Sequence, residues 1–167
     1  MRRELIAAAL ALGAGLAQAD DCTLVFGQGR NPRLLGGPDW DDLNHRFNTA
    51  VASALQADGR QVHPVTASSQ QINPQAAGRS LLAQADKLGC RTLVETTVFA
   101  GDEALVLRLR AYPLLAQLGS GGAIVGLRIG DAQFVTQRDL SPAAVLRIKP
   151  ELLAAQMAAE YLQRERR

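Results

Sequence analysis

Two stretches decide the fold: Cys22-Thr-Leu-Val-Phe-Gly27 and Cys90-Arg-Thr-Leu-Val-Glu-Thr-Thr-Val98. Each is an apolar, β-branched run led by a cysteine, and the chain has 2 cysteines in all. The first has no polar alternation, as expected of a strand buried on both faces. Between them lies a helical pattern from Asp39 to Asp58, a short strand at Gln61 to Val65, and a second helical pattern from Pro74 to Leu88. Asp39 is the expected N-cap of the first helix, with Asp41 and Asp42 in its first turn. Trp40, Leu43, Phe47, Val51 and Ala54 recur at helical spacing. Asn73 caps the second helix, Pro74 opens it, and Gly59 and Gly89 stand where left-handed stops are wanted. Gly27 to Pro38 reads as a loop.

This is a β-α-β-α-β order. Right-handed crossovers and short connections predict a parallel sheet of order 2-1-3. The first and third strands are then neighbours with aligned starts. That places Cys22 and Cys90 within the roughly 7 Å between Cα atoms that a disulfide allows. In an exported chain two cysteines read as one disulfide.

After the third strand the pattern changes to an antiparallel meander. Glu103 to Tyr112 alternates, with Leu105, Leu107, Leu109 and Ala111 on one face and Val106, Arg108, Arg110 and Tyr112 on the other. Pro113 to Ala123 reads as a loop. Ile124 to Ile129 and Ala132 to Arg138 read as a hairpin around Gly130-Asp131. Leu140 to Lys149 is irregular, and Pro150 opens a C-terminal helix carrying Leu153, Met157 and Tyr161 on its buried side. The expected fold class is α/β with a three-layer character and a mixed sheet.

The ends set the compartment. Arg2 and Arg3, the apolar run Leu5 to Leu16, and Ala17-Gln18-Ala19 form a signal-peptide pattern over residues 1–19. Residues 20–167 then make a single periplasmic domain, with no transmembrane segment. Asp20 and Asp21 before Cys22 argue against lipid anchoring. The 167-residue chain has 18 Lys+Arg and 16 Asp+Glu; without Arg2, Arg3 and Glu4 the net charge is +1. That balance excludes a nucleic-acid partner driven by bulk charge.

The pattern Asp42-Leu43-Asn44-x-x-Phe47-x-x-x-Val51-x-x-x-Leu55, then Gly59 and a strand ending near Val65, resembles the opening of a periplasmic superfamily. It includes the TolB N-terminal domain, the penicillin-binding-protein activator LpoB, the curli secretion protein CsgG and the polysaccharide-export protein PelC. Gly89-Cys90 to Tyr112 is similar to the family's third strand and following hairpin. The resemblance implies a non-enzymatic module that scaffolds, recruits or forms rings in the cell envelope. Several members are lipoproteins, whereas this chain has no lipobox.

No catalytic motif, cofactor or metal site is expected. Gly27-Gln28-Gly29 has Pro32 where a dinucleotide loop needs its third glycine. His45 shares a helix face with Asp41, but His63 lies on another element, so no ligand set forms. Ser120 sits in a glycine turn rather than a nucleophile elbow. Glu95 and Glu103 have no reason to face a shared substrate.

The candidate binding residues fall into three groups. Arg108, Arg110, Tyr112 and Arg128 would form a basic, partly aromatic sheet face suited to an anionic ligand or polymer. Leu114, Leu115 and Leu118 would mark a contact with envelope proteins or a second copy of this chain. Arg30 and Trp40 lie at the carboxyl end of the first strand, where doubly wound sheets bind ligands.

Overall fold

In the computed structural model the two cysteine-led runs lie side by side and parallel. The structure describes residues 22–29, 39–67, 73–101, 104–145, 147 and 149–167. The signal-peptide pattern over residues 1–19 and the candidate Arg30 lie outside these residues. Strand β1 (Thr23–Gly29), helix α1 (Trp40–Ala57), β2 (Val62–Ala67), α2 (Pro74–Leu88) and β3 (Thr92–Ala100) follow in the expected order. Then come β4 (Leu105–Leu118), β5 (Ile124–Ile129), β6 (Phe134–Leu140), a short α3 (Pro142–Val145) and α4 (Pro150–Glu165).

The sheet has the order β2-β1-β3-β4-β5, with β6 also paired to β4. The 2-1-3 portion is parallel, from Thr23↔Val62 and Thr23↔Thr92 onward. Cys22 and Cys90 immediately precede this register and form the disulfide, with Cα atoms 4.2 Å apart. The Arg91 amide donates to the Cys22 carbonyl at 3.0 Å, so the ladder already runs at the staple.

The helix ends follow local chemistry. The Asp39 carboxylate accepts from the Asp42 amide at 3.1 Å, and the Asn73 side chain accepts from the Ala76 amide at 3.0 Å. Gly89, at φ 72°, closes α2 in the left-handed conformation that L side chains resist.

Two apolar clusters lie on opposite faces of the sheet. On one face, α1 and α4 cover Val25, Val94, Val98, Leu105, Leu107 and Leu109 with Phe47, Val51, Leu55, Met157 and Tyr161. Side chains of this size stabilise by roughly 1.5–3 kcal/mol each when fully buried. The other face holds a smaller cluster: the disulfide, Leu24, Leu93, Leu114 and Leu127 beneath Leu81 and Ala85 of α2.

Polar groups also enter the first interface. Asn48 of α1 is buried and its amide donates to the Val65 carbonyl at 3.3 Å. The Thr96 hydroxyl donates to Asn48 Oδ1 at 2.8 Å. Gly27 makes this approach possible, because a Cβ there would stand 2.8 Å from Asn48 Cβ and Cγ.

The structure departs from the sequence reading in three ways. Pro113 to Ala123 is not a loop, since β4 continues through Pro113 to Leu118. The Leu114 amide donates toward β3, to Arg91 at 2.7 Å, so the nitrogen of Pro113 faces the other side. There it meets the irregular stretch 130–133, where a missing donor breaks no ladder bond. Nor do Ile124 to Ile129 and Ala132 to Arg138 form a hairpin. Both β5 and β6 pair with β4, through Ile129↔Leu114 and Phe134↔Ala111. Gly130-Asp131 has turn composition but lies in a bulge, and the reversal occurs at 119–123, where the Gly119 amide donates to Ala123 at 2.8 Å. Finally, β1 extends to Gly29 because it stays in register with β3 as far as Gly29↔Val98.

Candidate functional site

Helix α2 lies over the disulfide end of its face and leans on β5. Beyond it, the sheet face carrying Arg108, Arg110 and Tyr112 stays partly open. The register sets Tyr112 beside Leu93, Arg110 beside Glu95 and Arg108 beside Thr97. Arg108, Arg110 and Tyr112 therefore share a face, as their alternation predicts.

Where α2 meets this face there is a groove of about 340 Å³. Its walls are Phe26, Leu81, Leu93 and Ile129, and Ala77 and Gly78 of α2 line it as well. Gln28, Glu95, Arg110 and Tyr112 contribute the polar part. Arg110 Nη2 lies 2.6 Å from a Glu95 carboxylate oxygen, with both side chains partly shielded. The Tyr112 hydroxyl donates to the same oxygen at 3.2 Å. The Arg110 guanidinium also stands over the Tyr112 ring, 5.7 Å from its centroid. Arg110 Nε is enclosed and has no hydrogen-bond acceptor among the described residues.

The expected basic face is thus largely satisfied from within. Arg108 donates from Nε to Gln137 at 2.8 Å and stacks over Phe99 at 5.0 Å. Arg128 does not join the set. It pairs with Leu115, three residues beyond Tyr112 on β4, which places it on the opposite face. Alternation within β5 does not say which residue of β4 Arg128 faces; that follows only from the pairing of β5 with the extension of β4 beyond Tyr112.

The leucine group divides. Leu114 is 5% exposed and belongs to the core beneath α2, which corrects its reading as a contact residue. Leu115 and Leu118 are 36% and 64% exposed, and Ile124, Val125 and Ile129 across the ladder are also exposed. Leu118, Ile124 and Val125 form an apolar arm at the outer end of β4 and β5, while Leu115 and Ile129 stand nearer its base, Ile129 on the groove side. Trp40 is buried in the α1–α4 core, so its role is packing at the start of α1 rather than ligand contact.

The remaining charges tie elements together. Arg46 of α1 meets Glu151 of α4 at 2.6 Å, and Arg60 and Tyr161 both meet Glu165. Burial raises the Tyr161 hydroxyl well above its ordinary value, so it remains a neutral donor. Glu151 is held below the ordinary carboxylate value, first by a hydrogen bond from its own backbone amide and then by Arg46. His45 and His63 stand on α1 and β2. Among the described residues, no three His, Cys, Asp or Glu side chains are grouped to hold a metal.

Sequence reasoning missed Phe26, Gln28, Ala77, Gly78 and Ile129 as groove residues. A usable signal was Glu95, the one charged residue in its strand, facing the arginine-bearing side of the next strand.

No protein-family model matches the chain, and no curated protein matches it either. Among solved structures, it is similar to a dodecamer of a PelC point variant from Paraburkholderia phytofirmans, at 16% identity over 85% of each chain, with a TM-score of 0.44. PelC is one of the proteins that the opening pattern resembles, while the TolB-like part of that resemblance gains no support. At this identity and TM-score the likeness is too distant to carry an inference about function.

Proposed function

We propose that the chain is a non-catalytic periplasmic scaffold or adaptor of the cell envelope, associating with envelope proteins or with further copies of itself. The observation that carries this reading is the arm. Leu118, Ile124 and Val125 are each more than 60% exposed and adjoin across one hairpin end. Clustered apolar side chains of this kind mark interaction surfaces. The signal-peptide pattern and the Cys22–Cys90 disulfide support an oxidising, exported setting.

The alternative, an anionic ligand or polymer on the arginine face, is weaker on the same grounds. Arg110 is already paired with Glu95, Arg108 is engaged by Gln137, and Arg128 is on the other side. Sedimentation velocity on the mature chain, with cross-linking in envelope extract, tests the reading. Concentration-dependent association or a cross-link through the arm is expected. A lone monomer with no cross-linked partner would overturn it.

A further inference from the structure

We propose that the outer edge of β5 pairs, antiparallel, with the same edge of a second copy of this chain, with the two Leu127 residues on the twofold axis. This pairing rests on the association through the arm proposed above, and gives it a partner and a register.

Among the described residues the outer strands of the sheet are β2, β5 and β6, and two of these edges are guarded. At β2 the Thr23 amide donates to the Gln61 carbonyl at 2.8 Å, so in a parallel ladder Gln61, His63 and Val65 face β1. Pro64 then turns its donorless nitrogen outward, where a further strand would need a donor. Strand β6 carries Arg138 and Asp139, and α3 and α4 pack against it. Strand β5 has neither device: Ile-Val-Gly-Leu-Arg-Ile holds one charge and no proline.

The Gly130 amide donates to the Pro113 carbonyl at 2.9 Å. Antiparallel alternation then turns Gly126 and Arg128 toward β4, and the amides and carbonyls of Leu127 and Ile129 outward. Those outward groups have no hydrogen-bond partner among the described residues. A bare row of this kind selects an extended strand as its occupant.

Two observations favour a second copy as that strand. The first is register. Laid antiparallel on itself, β5 can centre on Arg128 or on Leu127. Centring on Arg128 sets two guanidinium groups directly opposite each other, which is destabilising. Centring on Leu127 sets each Arg128 opposite Gly126 of the other copy and joins the two Leu127 residues by a pair of backbone hydrogen bonds. The second is charge. Arg79 and Asp86 of α2 line the space beside Val125, Gly126 and Leu127, with Leu82 and Ala83 between them. They stand about two turns apart on one helix face, and neither has an ion-pair partner among the described residues. A twofold axis at Leu127 runs the two α2 helices antiparallel, so Arg79 of each copy comes toward Asp86 of the other.

The test mixes isotope-labelled and unlabelled mature, disulfide-bonded chains and reads nuclear Overhauser contacts between copies. A contact between the Hα protons of Gly126 in one copy and Arg128 in the other is expected, with the Leu127 amide gaining protection from hydrogen exchange as concentration rises. Arg79→Asp and Asp86→Arg should each loosen the dimer about tenfold in sedimentation, and the doubly reversed chain should regain the parent's affinity. Association without the Gly126–Arg128 contact, or with an Arg128–Arg128 contact in its place, overturns the pairing and leaves the scaffold reading standing. So does a monomer that cross-links through the arm to a different envelope protein. Single reversals without effect, or a double reversal that stays weak, overturn the pairing as well. A lone monomer that cross-links to nothing overturns both.

Discussion

The two faces of the sheet are built from the same strands and end in different states. On the α1–α4 face, Leu107, Leu109, Val94 and Val98 are wholly enclosed, and even the polar Asn48 and Thr96 find each other. On the α2 face the side chains one residue out of step include Glu95, Arg108, Arg110 and Tyr112, all partly exposed, although Leu93, Thr97 and Val106 beside them are buried. A single shorter helix covers that face at its disulfide end. One face spends its residues on the fold, while the other retains a groove and, at its outer end, an apolar arm.

The contrast is open to breakage by substitution. The largest effect is expected from the staple that holds the thinly covered face. Its cysteines are 68 residues apart, so replacing both with alanine should cost about 4 kcal/mol by the chain-entropy model, read by denaturant unfolding. A loss below about 1 kcal/mol would show that the α2 face does not depend on it.

Next come paired truncations across the sheet. Leu107→Ala opens a cavity in a closed core and should cost about 2–5 kcal/mol. Leu81→Ala borders a groove that is already unfilled, so little new cavity forms and its cost should be about half as large. Equal costs would mean that the groove face is packed as tightly as the other.

Gly27→Ala sharpens the point on the closed face. The added Cβ would meet Asn48 at 2.8 Å, and relief requires α1 to move off the parallel strands. About 1–3 kcal/mol should be lost, seen as a lower melting temperature.

The smallest effect is electrostatic. Glu151 has a carboxyl lowered from its ordinary 4.5 in the folded chain, so the stability it supplies is fully present above that value and drains away as pH falls through the lower one. The acid-side fall in melting temperature should be shallower in Glu151→Gln. An unchanged slope would show that neither its own backbone amide nor Arg46 holds that carboxyl down.

Much of the architecture was legible because local chemistry and topology agreed. Asp39, Asn73 and Gly89 ended their helices as their side chains or lack of one dictate, and the cysteines met where right-handed crossovers place them. The meander was misread because composition speaks for a residue's preferences and not for which partner it faces. Pro113 looks like a strand breaker, yet its missing donor faces a bulge. Gly130-Asp131 looks like a hairpin turn, yet β4 is long enough to pair with both segments beside it. Arg128 faces away from Arg110 because β5 pairs with the extension of β4, setting it opposite Leu115. The Arg108, Arg110 and Tyr112 face followed from period-2 alternation alone, but the closure of Arg110 upon Glu95 needed the register of two strands. The groove was hidden further, since it depends on how far α2 reaches over the sheet.

The central claim is that the arm at the end of β4 and β5 serves association and not folding. The direct measurement is a double variant, Leu118→Ser with Val125→Glu, followed by thermal unfolding and by sedimentation velocity. The account predicts stability within about 0.5 kcal/mol of the parent, as for exposed positions, together with loss of the parent's association. A variant that unfolds easily, or one that associates as the parent does, would contradict it.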